Sequence, residues 1–132
     1  MSTNAYIGME LPDHTIKCIY LHWDGYVEKP GAGFKLKSFY MSPEKVKELI
    51  DLGDLSALES EIGEKHDFDN FDVARENNWT TAYGRDREEE GVEAKITTEG
   101  IEKLSREMGY AYVYRLNEKW YYSKNGGKEK KL

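Results

Sequence analysis

One cysteine, three prolines, no apolar run of membrane-spanning length and fewer basic than acidic side chains set the first limits on this 132-residue chain. Cys18 stands alone, so no internal disulfide can form and a reducing compartment suits the chain. The missing apolar run, together with the absence of a secretory leader pattern, predicts a cytoplasmic protein without a membrane span. Gly-x-Ser-x-Gly, phosphate-loop and dinucleotide fingerprints are all absent. Nineteen basic residues face 25 acidic ones, a formal charge of −6. Residues 124–132 hold four lysines and one glutamate, so residues 1–123 carry a net −9. A body this acidic repels phosphates, which disfavours direct nucleic-acid binding unless a local basic patch exists.

Ten tyrosines, four phenylalanines and three tryptophans are present in this polar chain, clustered in segments that read as strands. Residues 5–9 and 15–23 predict a hairpin about Pro12-Asp13. In its second strand Ile16, Cys18, Tyr20 and His22 share one face, while Ile19, Leu21 and Trp23 share the other. Two largely apolar faces predict an interior strand covered on both sides. Residues 25–33 read as a glycine- and proline-rich loop, and 34–40 fits either a strand or a helix. Ser42-Pro43 supplies a cap and a first-turn proline for a helix over 43–52. Asp54 caps an expected second helix over 54–62, with Leu55, Leu58 and Ile62 as its stripe. Residues 64–91 show no lasting period, 92–97 alternate as a strand, and Thr98 opens an expected helix over 98–108. A terminal hairpin over 110–116 and 119–123 closes the domain, and 124–132 reads as a basic flexible tail. The expected fold is a single α+β domain over 1–123, an antiparallel sheet of about four to six strands packed by two or three short helices.

Two tracts carry candidate chemistry. His22-Trp23-Asp24-Gly25-Tyr26 concentrates polar and aromatic groups at a strand end, either as a ligand or partner site or as an Asp-Gly turn with a core tryptophan. Tyr83-Gly84-Arg85-Asp86-Arg87-Glu88 offers two guanidinium forks suited to phosphate or carboxylate, or else a charged loop paired within itself. The expected ligand- or partner-binding set is His22, Trp23, Asp24, Tyr26, Tyr83, Arg85 and Arg87. A third tract, His66 to Asp72, fails the calcium-loop pattern because Phe71 takes a ligand position. Cys18 reads as an inert buried thiol, and no catalytic residue, metal or cofactor is expected. Residues 59–93 hold twelve acidic and four basic side chains, a surface either solubilising or able to occupy a basic channel on another protein.

The strings Tyr20-x-His22-Trp23-Asp24-Gly25-Tyr26, Leu52-Gly53-Asp54-Leu55-Ser56 and Ala82-Tyr83-Gly84-Arg85-Asp86-Arg87-Glu88, with the closing Lys119-Trp120-Tyr121-Tyr122, resemble a family of small uncharacterised bacteriophage and prophage proteins. The likeness spans most of 5–123. It implies a non-enzymatic accessory protein in the cytoplasm of a bacterial host, binding a host protein or a nucleotide-like small molecule and so antagonising defence. A small hydrolase or metal enzyme using His22 and Asp24, and a structural or regulatory interaction module, are the alternatives. Sequence alone leaves the oligomeric state, a homodimer included, open.

Overall fold

The computed structural model describes residues 2–132. In chain order its elements are β1 (Ala5–Glu10), β2 (Ile16–Leu21), α1 (Ala32–Phe39), α2 (Pro43–Asp51), β3 (Leu55–Ala57), α3 (Phe71–Asn77), β4 (Thr81–Ala82), α4 (Tyr83–Arg87), β5 (Lys95–Thr97), α5 (Ile101–Met108), β6 (Tyr110–Tyr114), β7 (Trp120–Lys124) and β8 (Lys130–Lys131). The β1–β2 hairpin forms as expected, in register from Ala5 opposite Leu21 to Glu10 opposite Ile16. It lies at the middle of a sheet ordered β4-β3-β2-β1-β6-β7-β8, with β5 also on β2.

Strand alternation sends side chains into two cores. Ala5, Ile7, Ile19 and Leu21 pack with Leu36 of α1 and with Val46, Leu49 and Ile50 of α2. Ile16 and Cys18 face the other way, onto Ile101 and Leu104 of α5 and Ala111 and Val113 of β6. Helices therefore cover both faces, and the two apolar faces read in β2 have this origin.

The fold is α+β, with a larger and differently paired sheet than expected. Among the described residues eight strands replace four to six, and β1·β6 and β2·β3 are parallel. Parallel neighbours need a crossover, which α1 and α2 supply between β2 and β3. The additional strands β3, β4 and β8 are two or three residues long, too short to show a period.

Helix α2 starts where Ser42 Oγ accepts the Lys45 N–H at 3.2 Å, with Pro43 in its first turn. Residues 32–39 resolve as helix. The helix expected over 54–62 is instead strand β3 and an irregular run. Asp54 does not cap it: Oδ1 accepts the Tyr20 N–H at 2.9 Å, and Leu55 pairs with Leu21. Tertiary pairing along the open half of β2 overrides the helical stripe, while Leu55 and Leu58 still reach the core. Helix α5 starts after Gly100, without a Thr98 cap. Residues 124–132, expected as a flexible tail, turn back along β7 through β8, and the Leu132 N–H donates to the Trp120 carbonyl at 3.0 Å.

Candidate functional site

Three segments far apart in sequence meet on the β2–β3–β4 side of the sheet. The His22 and Trp23 N–H groups donate to the carbonyls of Leu55 and Ser56 at 3.0 and 3.1 Å. Leu55 pairs with Ala82, and the Tyr83 N–H donates to the Asp54 carbonyl at 3.2 Å. The strand ends carrying His22-Trp23, Asp54-Leu55-Ser56 and Ala82-Tyr83 are thus sewn side by side by their backbones.

The first tract is a hydrogen-bonded corner whose tryptophan is not core. Asp24 turns the chain in the left-handed region at φ 57°, and its carbonyl accepts the Ala32 N–H at 2.8 Å. Gly25 is buried under the Tyr112 hydroxyl, which donates to its carbonyl at 2.7 Å. A Cβ there would lie 2.9 Å from the Asn4 carbonyl, so the close approach requires glycine. Tyr20 Oη and His22 Nδ1 are hydrogen-bonded at 2.7 Å, and the imidazole packs edge-on to Trp23 at 4.6 Å between centroids. Trp23 is 47% exposed, and Tyr26 is half-buried.

The second tract separates its two arginines. Arg85 turns inward: Nη1 donates to the Ile62 and Gly63 carbonyls, Nη2 donates to the Thr80 carbonyl, and Nε and Nη2 grip Asp86. The Asp86 side chain is fully buried and also accepts the His66 N–H at 3.1 Å and the Ala82 N–H at 2.8 Å. His66 completes this hub by bonding the Glu64 carbonyl and the Thr81 hydroxyl while leaning on Trp79. Arg87 points outward, stacked on Phe68 at 4.5 Å and Tyr83 at 4.9 Å and paired with Glu89. The forks expected to hold an anion are therefore engaged by the protein's own carbonyls and acids, which is the internally paired alternative.

A cleft of about 420 Å³ opens beside this corner, between β2, β5 and α5. Tyr20, Asp54 and Cys18 belong to its lining, and neither His22 nor Arg85 does. Burial pushes the Asp54 carboxyl above its ordinary range, and Glu89 and Glu93 push the same way against the Tyr20 N–H and Lys95. Burial likewise raises the Tyr6 hydroxyl, with Glu107, Asp54 and Glu99 among the charges adding to it. The field in the cleft is negative, the wrong sign for a phosphate.

This cleft is lined by none of His22, Asp24, Arg85 and Arg87, and β3 lies between the strand end that carries His22 and the segment that leads to the arginines. Among the described residues no group of three or more histidine, cysteine, aspartate or glutamate side chains is arranged to hold a metal ion. Residues absent from the expected set organise the region: Asp54, Phe68, His66 and Asp86. Asp54 gave a usable signal as a glycine-flanked acid after a helix. The inward turn of Arg85 and the burial of Asp86 depend instead on the Ile62, Gly63 and Thr80 carbonyls that Arg85 donates to and on the His66 and Ala82 N–H groups that Asp86 accepts, none of which the spacing reveals. Helices long and apolar enough to cross a membrane do not occur among the described residues. No protein-family model matches the chain, and neither the curated proteins nor the solved structures yield a match.

Proposed function

We propose that this chain is a non-enzymatic phage accessory protein that binds and blocks a basic protein of its bacterial host, in antagonism of host defence. One observation carries the reading: the buried Arg85–Asp86–His66 hub fixes the acidic segment as a built surface. Ten of the twelve acids in 59–93 are exposed, all but Glu59 and the buried Asp86. Seven of these, Glu64, Asp67, Asp69, Asp72, Glu76, Glu90 and Glu93, form no ion pair among the described residues. Phe71, 61% exposed at the start of α3, stands among them. An acidic surface tied down at residues 62–66 and 80–86, with an aromatic anchor, complements a cationic protein face.

The same geometry counts against sequestration of a nucleotide. Arg85 is fully engaged, Arg87 is paired with Glu89, and the adjoining cleft is acidic.

The test is phage plating on a panel of defended bacterial hosts that express the protein. Wild type is expected to raise plating efficiency on at least one host. The variant Asp72→Lys/Glu76→Lys/Glu90→Lys, with unchanged unfolding, is expected to lose that gain. A wild-type protein without effect on every host, or an undiminished triple variant, overturns the reading.

A further inference from the structure

The opposite edge of the sheet carries the opposite charge. Lys29, Lys37, Lys119, Lys124, Lys128, Lys130 and Lys131 are exposed, and none forms an ion pair among the described residues. They come from the α1 entry loop, α1 itself, the β6–β7 turn, the end of β7 and the returning tail.

These lysines border three concavities with lining residues in common, and Lys29 and Phe34 of the first also line a further one with Glu59. One of about 300 Å³ is lined by Lys29, Phe34, Lys37, Tyr122, Lys131 and Leu132. A second of about 240 Å³ shares Lys37, Lys131 and Leu132 with it and adds Lys119 and Trp120. A third shares Tyr122 with the first and adds Lys124, Lys128 and Lys130. Glu28 and Glu118 are the acids on these walls, while Glu129 is taken up by Arg115. Net charge along the groove is therefore strongly positive, within a protein of net charge −6.

We infer that this groove binds single-stranded nucleic acid. Lysines without ion-pair partners that border adjoining concavities are placed for successive phosphates, with Lys29 lying over the Phe34 ring and Lys124 over the Tyr110 ring. Phe34, Tyr122 and Leu132 give the floor an aromatic and apolar character that an unstacked base can meet, as in other single-strand grooves. Duplex bases are covered by their own stacking, so these floors favour a single strand. The condition set by composition, that nucleic acid is disfavoured without a local basic patch, is met here because the tail folds back.

Fluorescence anisotropy of labelled 20-nucleotide DNA and RNA strands, titrated with the full chain, tests this. Binding is expected at low salt, with a slope of log K against log salt of roughly −3 to −4 if four to six phosphates are engaged. The DNA and RNA arms show which backbone is preferred. Lys37→Glu/Lys131→Glu should weaken binding by tenfold or more, while Lys47→Glu/Lys103→Glu, equal in charge change but elsewhere, should weaken it by less than threefold. Absence of binding to both strands, or equal loss in both double variants, overturns the inference. So does salt-sensitive self-association of the protein alone that Lys37→Glu/Lys131→Glu abolishes without strand binding, because the groove then receives the acidic edge of a second copy.

Discussion

Replacing Asp86 by alanine removes the centre of the hub that orders the acidic segment. The carboxylate accepts two backbone N–H groups, from His66 and Ala82, and two bonds from Arg85, and its side chain is fully buried. Two stranded N–H groups cost about 1–3 kcal/mol each. Breaking a buried ion pair from one side costs about 3–5 kcal/mol, because the other charge is left uncompensated. These overlap rather than add, since the Arg85 guanidinium keeps the Ile62, Gly63 and Thr80 carbonyls. The expected loss is therefore about 3–5 kcal/mol, or on the order of 10–20 °C in Tm for a domain of this length. Urea and thermal unfolding measure the total, and hydrogen exchange should locate the loosened amides in 59–93 and β4. In the double variant Arg85→Met/Asp86→Ala no charge is left unpaired, so its cost should fall short of the summed single costs by about 2 kcal/mol. A loss below about 1 kcal/mol for Asp86→Ala, or additive costs in the cycle, refutes the hub as the organiser of this surface.

Asp54 gives a pH dependence of definite sign. Burial raises its folded pKa above the ordinary 3.8, so the folded state holds this proton more tightly than the unfolded chain. Its contribution to stability is full below 3.8 and is lost as pH rises through the folded value. Asp54→Asn keeps an acceptor for the Tyr20 N–H, so it should flatten stability against pH across that window and leave the protein at least as stable at pH 7; a clear loss at pH 7 refutes this. The Cys18 thiol is buried and raised by that burial, so reaction with Ellman's reagent should be at least about tenfold slower in the folded protein than in urea. Gly63 sits at φ +74° where a Cβ would lie 2.4 Å from Trp79 Cγ, while Gly91 sits at φ +77° with open space around it. Unfolding should then show Gly63→Ala costing about 2–4 kcal/mol and Gly91→Ala about 1–2 kcal/mol, and equal costs would show that Trp79 moves aside freely.

Legibility followed the length of each element and the range of its contacts. The β1–β2 hairpin, α2 with its Ser42 cap and the 110–124 hairpin were readable because periodicity, caps and turn residues all act within a few positions. At Glu118 the closing turn adopts φ 63° without glycine, and Asn117 Oδ1 supports it by accepting the Lys119 N–H at 3.2 Å. Residues 54–62 were misread because a stripe at 55, 58 and 62 fits a helix as well as it fits a strand followed by a bend. Only the vacant half of β2, created 34 positions earlier in the chain, selects the strand. The candidate site was half legible for the same reason. Residue types marked His22 to Tyr26 and Tyr83 to Glu88 as unusual, but the direction of Arg85 depends on carbonyls of residues 62, 63 and 80, which no spacing rule reaches.

The two charged edges lie at opposite ends of the sheet path, with β4 beside the acidic segment and β8 in the basic one. Six interstrand steps of about 4.8 Å place β4 and β8 roughly 29 Å apart along the sheet, while Lys29 and Phe34, at the start of α1, share a concavity with Glu59 and Asn78 of the acidic segment. Screening at physiological salt has a reach of about 8 Å, so the lysines of the returning tail and the acids beside β4 act on one another only weakly in solution. The net charge of −6 is then a poor guide to either surface, because a partner responds to the field within one screening length. Independence has a measurable consequence. Lys37→Glu/Lys131→Glu should leave any gain in phage plating intact, unless strand binding serves that same gain. Asp72→Lys/Glu76→Lys/Glu90→Lys should leave strand affinity at physiological salt within about threefold of wild type. A rise of tenfold or more in strand affinity from the acidic-edge variant would show that the acidic surface competes for the lysine groove, within one copy or between two.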